Sequence, residues 1–240
     1  MLPVYKEYID FLNHKTNNGL SFLEEGKYWY DKSIIKAFDL NGEIIKIARL
    51  NIDDELNMTI KIYNKQIPML ETWIDTIKRH EFELQKLEDE SKQLITNSIC
   101  KYKDRNIAVL SSGGKDSSVT TFLVRKCLDN PKIIFNNTSL DCADTYLHIK
   151  KESNLTIINP KEGFYQWRKR LNFVPTRFAR ACCNTFKEGA MVDYLSKDSK
   201  YLFFMGMRNQ ESVGRSGYGD EWKNHKWENR EWDAILPIRK

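Results

Sequence analysis

Short stretches of alternating apolar and polar residues mark the first part of the chain. Residues 33–40 (SIIKAFDL), 43–52 (EIIKIARLNI) and 57–63 (NMTIKIY) each read as a strand. Asn41-Gly42 joins the first two and is a type I′ hairpin signal. The three predict a small antiparallel meander. From residue 68 the apolar spacing widens to a helical one, through Leu70, Trp73, Ile74, Ile77, Phe82, Leu84, Leu87 and Leu94. Pro68 suits a first helical turn. Residues 68–100 are therefore expected to form one long helix or two. The chain shows no internal repeat.

The pattern changes near residue 105. Residues 106–110 (NIAVL), 132–136 (KIIFN), 155–158 (LTII) and 201–205 (YLFFM) are short apolar runs, as expected of strands buried on both faces. Helical stretches at 116–128, 143–152 and 181–195 separate them. Strands alternating with helices of this length predict an α/β fold, a parallel twisted sheet with helices on both faces. The expected partition is an α+β region over residues 1–100 and a ligand-binding domain over 101–240.

Between the first of these strands and its helix stands the loop Ser111, Ser112, Gly113, Gly114, Lys115, Asp116, Ser117. Glycine permits positive φ and close backbone approach. The following helix offers free N–H groups and the positive end of its dipole. Lys115 adds a cation, and the serines add hydroxyl donors. Each feature favours a bound anion; a tight turn with no ligand is the alternative. The loop departs from the pattern G-x-x-x-x-G-K-[ST], because Asp116 follows the lysine. In α/β sheets ligands bind beyond the carboxyl ends of the strands, where this loop lies.

Charge sharpens the picture. The formal net charge is +5, and residues 160–180 alone hold six basic residues (Lys161, Arg168, Lys169, Arg170, Arg177, Arg180) against Glu162. The remainder sums to zero. So local an excess points to an anionic ligand at one place or to a solvated helix face, more than to a broad nucleic-acid surface. No apolar run approaches the roughly 20 residues of a membrane span. The first residues lack the apolar core of a secretory signal, which implies a cytoplasmic protein without a membrane partner. The five cysteines are then expected as free thiols, metal ligands or redox groups.

Arg208 and Arg215 flank Glu211 after the fourth apolar run. Arginine's planar fork suits phosphate or sulfate, and Glu211 can hold one fork in place. A surface ion-pair cluster is the alternative. Trp222, Trp227 and Trp232 follow, as a base platform or, for at least two of them, as core.

Ser112-Gly113-Gly114-Lys115-Asp116-Ser117 resembles the PP-loop of the adenine nucleotide alpha hydrolase-like superfamily. Four more segments resemble its phosphoadenylyl-sulfate (PAPS) reductase family. They are residues 137–146 (NTSLDCADTY), 180–187 (RACCNTFK), Gly206-Met207-Arg208-Asn209-Gln210-Glu211-Ser212 with Arg215, and Leu236-Pro237-Ile238. Asn137 stands for the family's Asp and Asp144 for its Glu. The resemblance covers residues 105–240 and leaves residues 1–100 unassigned. It implies a Rossmann-like PP-loop domain that binds ATP or PAPS, with Mg2+ as a companion of the nucleotide. It places Ser111, Ser112, Gly113, Gly114, Lys115, Asp116, Ser117, Gly206, Arg208, Glu211 and Arg215 at the nucleotide. Lys115, Asp116, Arg208 and Arg215 are the catalytic candidates.

The resemblance implies an enzyme of sulfur metabolism. One reading is a PAPS-reductase-like oxidoreductase served by a thioredoxin-like reductant. A second is an ATP pyrophosphatase or sulfurtransferase that adenylates a substrate, nucleic acid included, and a third is a non-catalytic nucleotide-binding module. Cys182 and Cys183 match a pair that ligates a 4Fe–4S cluster in some relatives. Such a cluster takes about four thiolates, and no cysteine follows Cys183. The Glu-Cys-Gly-x-His segment of PAPS reductases is absent as well. The expectation is a chain that is incomplete at its carboxyl end or has lost the reductive half of the mechanism.

Overall fold

A computed structural model describes residues 1–65, 69–176, 179, 181–195, 200–211, 217–223 and 231–239, with Glu211 as backbone alone. The chain divides into two compact units, Met1–Lys86 and Leu87–Lys240.

The first unit is built on a five-stranded antiparallel meander in the order β1 (Leu2–Pro3), β2 (Tyr28–Asp31), β3 (Ile34–Phe38), β4 (Ile44–Ile52), β5 (Met58–Ile62). Helix α1 (Lys6–Lys15) contributes Ile9 and Leu12 to its core, beside Leu20, Ile35, Ile47 and Ala48. The strands expected at 33–63 are present. β1, α1 and β2 are additions to the sequence reading. The type I′ geometry falls elsewhere than expected. It lies at Lys32-Ser33, both at positive φ, between the paired residues Asp31 and Ile34. At Asn41-Gly42 the loop is wider. Asp39 N–H donates to the Glu43 carbonyl across three residues, and only Gly42 has positive φ. The Asp39 carboxylate explains the width, because it accepts the N–H groups of Asn41 and Glu43.

The helical stretch after residue 68 is two helices, α2 (Trp73–Arg79) and α3 (Glu81–Lys101). Thr72 and Asp75 form a capping box that starts α2. Pro68 lies outside the described residues. Ile74, Ile77, Phe82, Leu84 and Leu87 are exposed.

The second unit carries a six-stranded sheet in the order β10-β11-β9-β6-β7-β8. The expected strands are β6 (Asn106–Leu110), β7 (Lys132–Asn136), β8 (Leu155–Ile158) and β9 (Tyr201–Met205). They are parallel, and β11 (Trp232–Ile235) adds a fifth parallel strand. β10 (Glu221–Lys223) closes the edge antiparallel to β11. Helices cover both faces, as the buried strands require. On one face α3 and α4 (Lys115–Cys127) pack Ile95, Leu123 and Val124 on Val109, Leu202 and Phe204. On the other, α7 (Ala190–Tyr194) packs on Ala108, Ile134 and Phe203. Helices α5 (Ala143–Ile149) and α6 (Phe164–Leu171) complete the crossovers around β8.

The helix expected at 181–195 differs. Its middle, Cys183–Gly189, is a π-helix that runs into α7. A Cβ on Gly189 would stand 2.7 Å from the Asn184 carbonyl oxygen, so glycine fits the crowded wide turn. Apolar periodicity does not separate a π turn from an α turn over seven residues. Trp232 packs edge-on against Trp222 at 5.1 Å and against Phe203 at 5.7 Å, which makes both tryptophans packing residues. Trp227 lies outside the described residues. Among the described residues, no helix is long and apolar enough to cross a membrane.

Candidate phosphate-binding site

β6 leads through α4 to β7 on one side, while β9 lies on its other side. The strand order therefore reverses between β6 and β9, and ligands of open α/β sheets bind at the carboxyl ends of such a pair. The loop of residues 111–114 leaves β6 there, and Gly206, Met207 and Arg208 leave β9 there.

Gly114 is the N-cap of α4 and carries no capping side chain, so the first-turn N–H groups have no side-chain acceptor. Gly113 sits at φ +72, and a Cβ on it would come within 2.8 Å of Thr145 Cγ2. Glycine is required twice at that position, by conformation and by space. Gly206 is just as constrained. A Cβ there would meet the Asp116 carbonyl carbon and oxygen at 2.6 Å and the Ser117 nitrogen at 2.8 Å. The bare backbone after β9 thus lies against the first turn of α4.

The three serines divide. Ser111 and Ser117 are buried. Ser117 Oγ donates to the Gly114 carbonyl at 2.8 Å and accepts from Ser112 N–H at 3.2 Å. Ser111 Oγ accepts from Gly113 N–H at 3.3 Å. These hydroxyls brace the loop from within, in contrast to the expectation that all three face an anion. Ser112, Gly114 and Lys115 are exposed at the rim. Lys115 has no ion pair among the described residues, which leaves its ammonium available.

Arg208 Nε lies 3.2 Å from Asp116 Oδ1. That nitrogen is buried without a hydrogen-bond partner, so the contact is an ion pair of poor hydrogen-bond geometry. Asp116 holds the guanidinium beside the helix start, and its terminal NH2 groups have no partner among the described residues. Glu211 ends the 3₁₀ turn Asn209–Glu211, and Asn209 N–H donates to the Arg239 carbonyl at 2.9 Å. Arg215 and Ser212 lie outside the described residues. The structure therefore brings together residues 111–117, Gly206 and Arg208, with the Glu211 backbone nearby in sequence.

The segment after β7 supports the loop. Thr145 underlies Gly113, and Ser118 Oγ lies 3.3 Å from His148 Nε2. Asn137 Oδ1 accepts from Ser139 N–H at 2.8 Å and from the Tyr146 hydroxyl at 2.6 Å. Its Nδ2 donates to Asn159 Oδ1 at 2.8 Å. An aspartate could keep the two accepted hydrogen bonds but not this donated one. Thr145 Oγ1 lies 3.2 Å from Cys142 Sγ, and hydrogen bonds from its hydroxyl and backbone pull the Cys142 thiol below the usual range. Asn136 is a residue that sequence reasoning passed over. Its Nδ2 donates at 2.5 Å to the Lys187 carbonyl and ties the π-helix to the end of β7, while its Oδ1 is buried and unpaired. An asparagine at a strand end carries no sequence signal for such a tie.

Cys182 and Cys183 open the π-helix and are half-buried. Cys100 is on α3, Cys127 at the end of α4 and Cys142 before α5. Among the described residues, no three His, Cys, Asp or Glu side chains gather where they could hold a metal. Two adjacent thiols fall short of the set for a 4Fe–4S cluster, so these residues do not form one by themselves.

A family model described as the phosphoadenosine phosphosulfate reductase domain matches residues 106–239. Two curated proteins of Methanocaldococcus jannaschii, both described as uncharacterized, are similar. One is 30% identical over 204 residues, 82% of this chain and 46% of that protein. The other is 27% identical over 183 residues, 73% of this chain and 37% of that protein. The chain thus spans less than half the length of these relatives, and matches this long reach upstream of residue 106. Two solved structures are similar at 15% identity. The PAPS reductase from Candida auris, a phosphate complex, has a TM-score of 0.48, covering 69% of this chain and 77% of that one. The U34-tRNA thiolase from Methanococcus maripaludis with its 4Fe–4S cluster has a TM-score of 0.40, covering 65% and 60%.

Proposed function

Because the chain belongs to the phosphoadenosine phosphosulfate reductase domain family, we propose that it is an enzyme of sulfur metabolism that binds PAPS or ATP by its phosphate chain. The observation that carries the reading is the pairing of Gly206 and Arg208 with the first turn of α4 at the point of strand-order reversal. Backbone N–H groups of residues 114–116 line one side, and the arginine fork stands on the other. Lys115 supplies a mobile charge at the rim. Ser111 and Ser117 keep the loop in shape, so little reorganisation is needed when the anion arrives.

Asp116 positions Arg208 by their ion pair. Mg2+ arriving with the nucleotide would be held chiefly by the phosphate oxygens. Reductive and adenylating chemistry share this bound state. They differ in which atom is attacked, the sulfate sulfur of PAPS or the α-phosphorus of ATP. Sulfite released from PAPS with thioredoxin present identifies the first, and pyrophosphate released from ATP the second.

Calorimetric titration with PAPS, ATP and adenosine tests the binding claim. Arg208→Ala is expected to weaken the better-bound nucleotide by about tenfold or more, as loss of a charge-assisted contact of roughly 1.5–3 kcal/mol requires. Adenosine binding should barely change. Equal losses for adenosine and nucleotide would reduce Arg208 to a structural residue.

A further inference from the structure

Helix α6 concentrates a charge that the phosphate site does not use. Residues 160–180 hold the whole net charge of the chain. α6 buries Trp167, which packs on Phe186 at 5.5 Å and Phe173 at 6.1 Å. Tyr165, Arg168 and Lys169 stand at the i, i+3, i+4 spacing of a single helical stripe. Tyr165 is 72% exposed, and Arg168 and Lys169 are exposed too. Neighbouring cations are matched, Arg170 by Glu162 and Lys161 by Asp193. Arg168 and Lys169 have no ion pair among the described residues, and α6 itself contains no acid. Complementing the helix dipole takes a cation in the last turn, and paired Arg170 already provides one. The dipole accounts for neither the unpaired cations nor the flat ring beside them.

We propose that this stripe is a docking surface for single-stranded nucleic acid. Phosphates would contact Arg168 and Lys169, and an unstacked base would lie on the Tyr165 ring. Exposed aromatics interleaved with cations are the means by which proteins hold single strands without reading sequence. A compact monoanion would engage the cations and leave the exposed ring without a role. The surface also has a direction. The first N–H of α6, that of Phe164, donates to Ser139 Oγ at 2.8 Å. Ser139 belongs to the loop after β7, at the same end of the sheet as the phosphate loop. A strand on α6 would run towards that end. The inference stands on α6 alone and does not depend on the nucleotide reading.

Fluorescence anisotropy with labelled single-stranded RNA and DNA of mixed sequence, about 12 nucleotides long, tests it over a range of salt concentrations. Wild type is expected to bind one or both, more weakly as salt rises. Arg168→Gln/Lys169→Gln should lower affinity about tenfold or more and flatten the logarithmic salt slope by about 1.4, or about 0.7 for each lost contact. Tyr165→Ala should lower affinity about five- to a hundredfold with the slope unchanged. Circular dichroism and nucleotide titration of both variants guard against misfolding. No binding at low salt would overturn the proposal. So would binding unaffected by both variants, a preference for duplex, or equal binding of heparin that ignores Tyr165→Ala.

Discussion

Lys115 and Gly206 test opposite aspects of the site. Lys115 is exposed and unpaired among the described residues, so Lys115→Ala should leave the fold intact. Its loss should remove one charge-assisted contact to phosphate, roughly 1.5–3 kcal/mol, or about ten- to a hundredfold in nucleotide affinity by calorimetry. Unchanged affinity would take the loop out of the site. Gly206 acts through what it lacks. In Gly206→Ala the new methyl must displace the Asp116–Ser117 backbone. Overpacking of this kind costs about 1–3 kcal/mol in denaturant unfolding, and it should weaken nucleotide binding although residue 206 offers no side chain to a ligand. Wild-type affinity in a destabilised variant would separate the β9 end from the ligand. That the glycine loop and Gly206–Arg208 meet at one end of the sheet was legible, because each directly follows a buried parallel strand. The inward turn of Ser111 and Ser117 was not, since a hydroxyl in a loop serves a ligand or a carbonyl equally well.

At the scale of elements, β6, β7, β8 and β9 were legible because burial on both faces imposes continuous apolar runs. β11 escaped notice because Asp233 interrupts it. Burial pushes that carboxyl up, while Arg105 Nη1 at 2.7 Å draws it down. α6 escaped because it buries Trp167 and little else, and α1 because it buries only Ile9 and Leu12. In the first unit α2 is pinned to the sheet by polar contacts of the same hidden kind. Trp73 Nε1 donates to the Tyr28 carbonyl at 3.0 Å, and buried Glu71 accepts from Arg79 Nε at 2.9 Å and Nη2 at 2.7 Å. The Arg79 hydrogen bonds, helped by Thr76, hold the Glu71 carboxyl below its ordinary range against the opposing effect of burial. A depressed carboxyl contributes stability that is complete above the unfolded value, about 4.3 for glutamate. That contribution disappears as pH falls from there through the folded value. Thermal melts followed by tryptophan fluorescence should show it. Glu71→Gln should cost about 1–2 kcal/mol at pH 7, discounted for the partly exposed Arg79, and the difference from wild type should shrink below about pH 4. A difference that stays constant down to pH 3 would mean that the charge on Glu71 does not contribute.

For the whole molecule, the central claim is that one end of the parallel sheet, between β6 and β9, holds a phosphate chain. Family membership covers residues 106–239. The meander of the first unit has its own core, and its role stays outside that claim. Backbone amide hydrogen exchange with and without saturating PAPS or ATP tests the claim most directly, because it reports every region at once and needs no variant. The account predicts protection concentrated in residues 112–117 and 206–209, with α6, α7 and the amino-terminal meander unchanged. Protection confined to other regions, or none with nucleotide demonstrably bound, would contradict it.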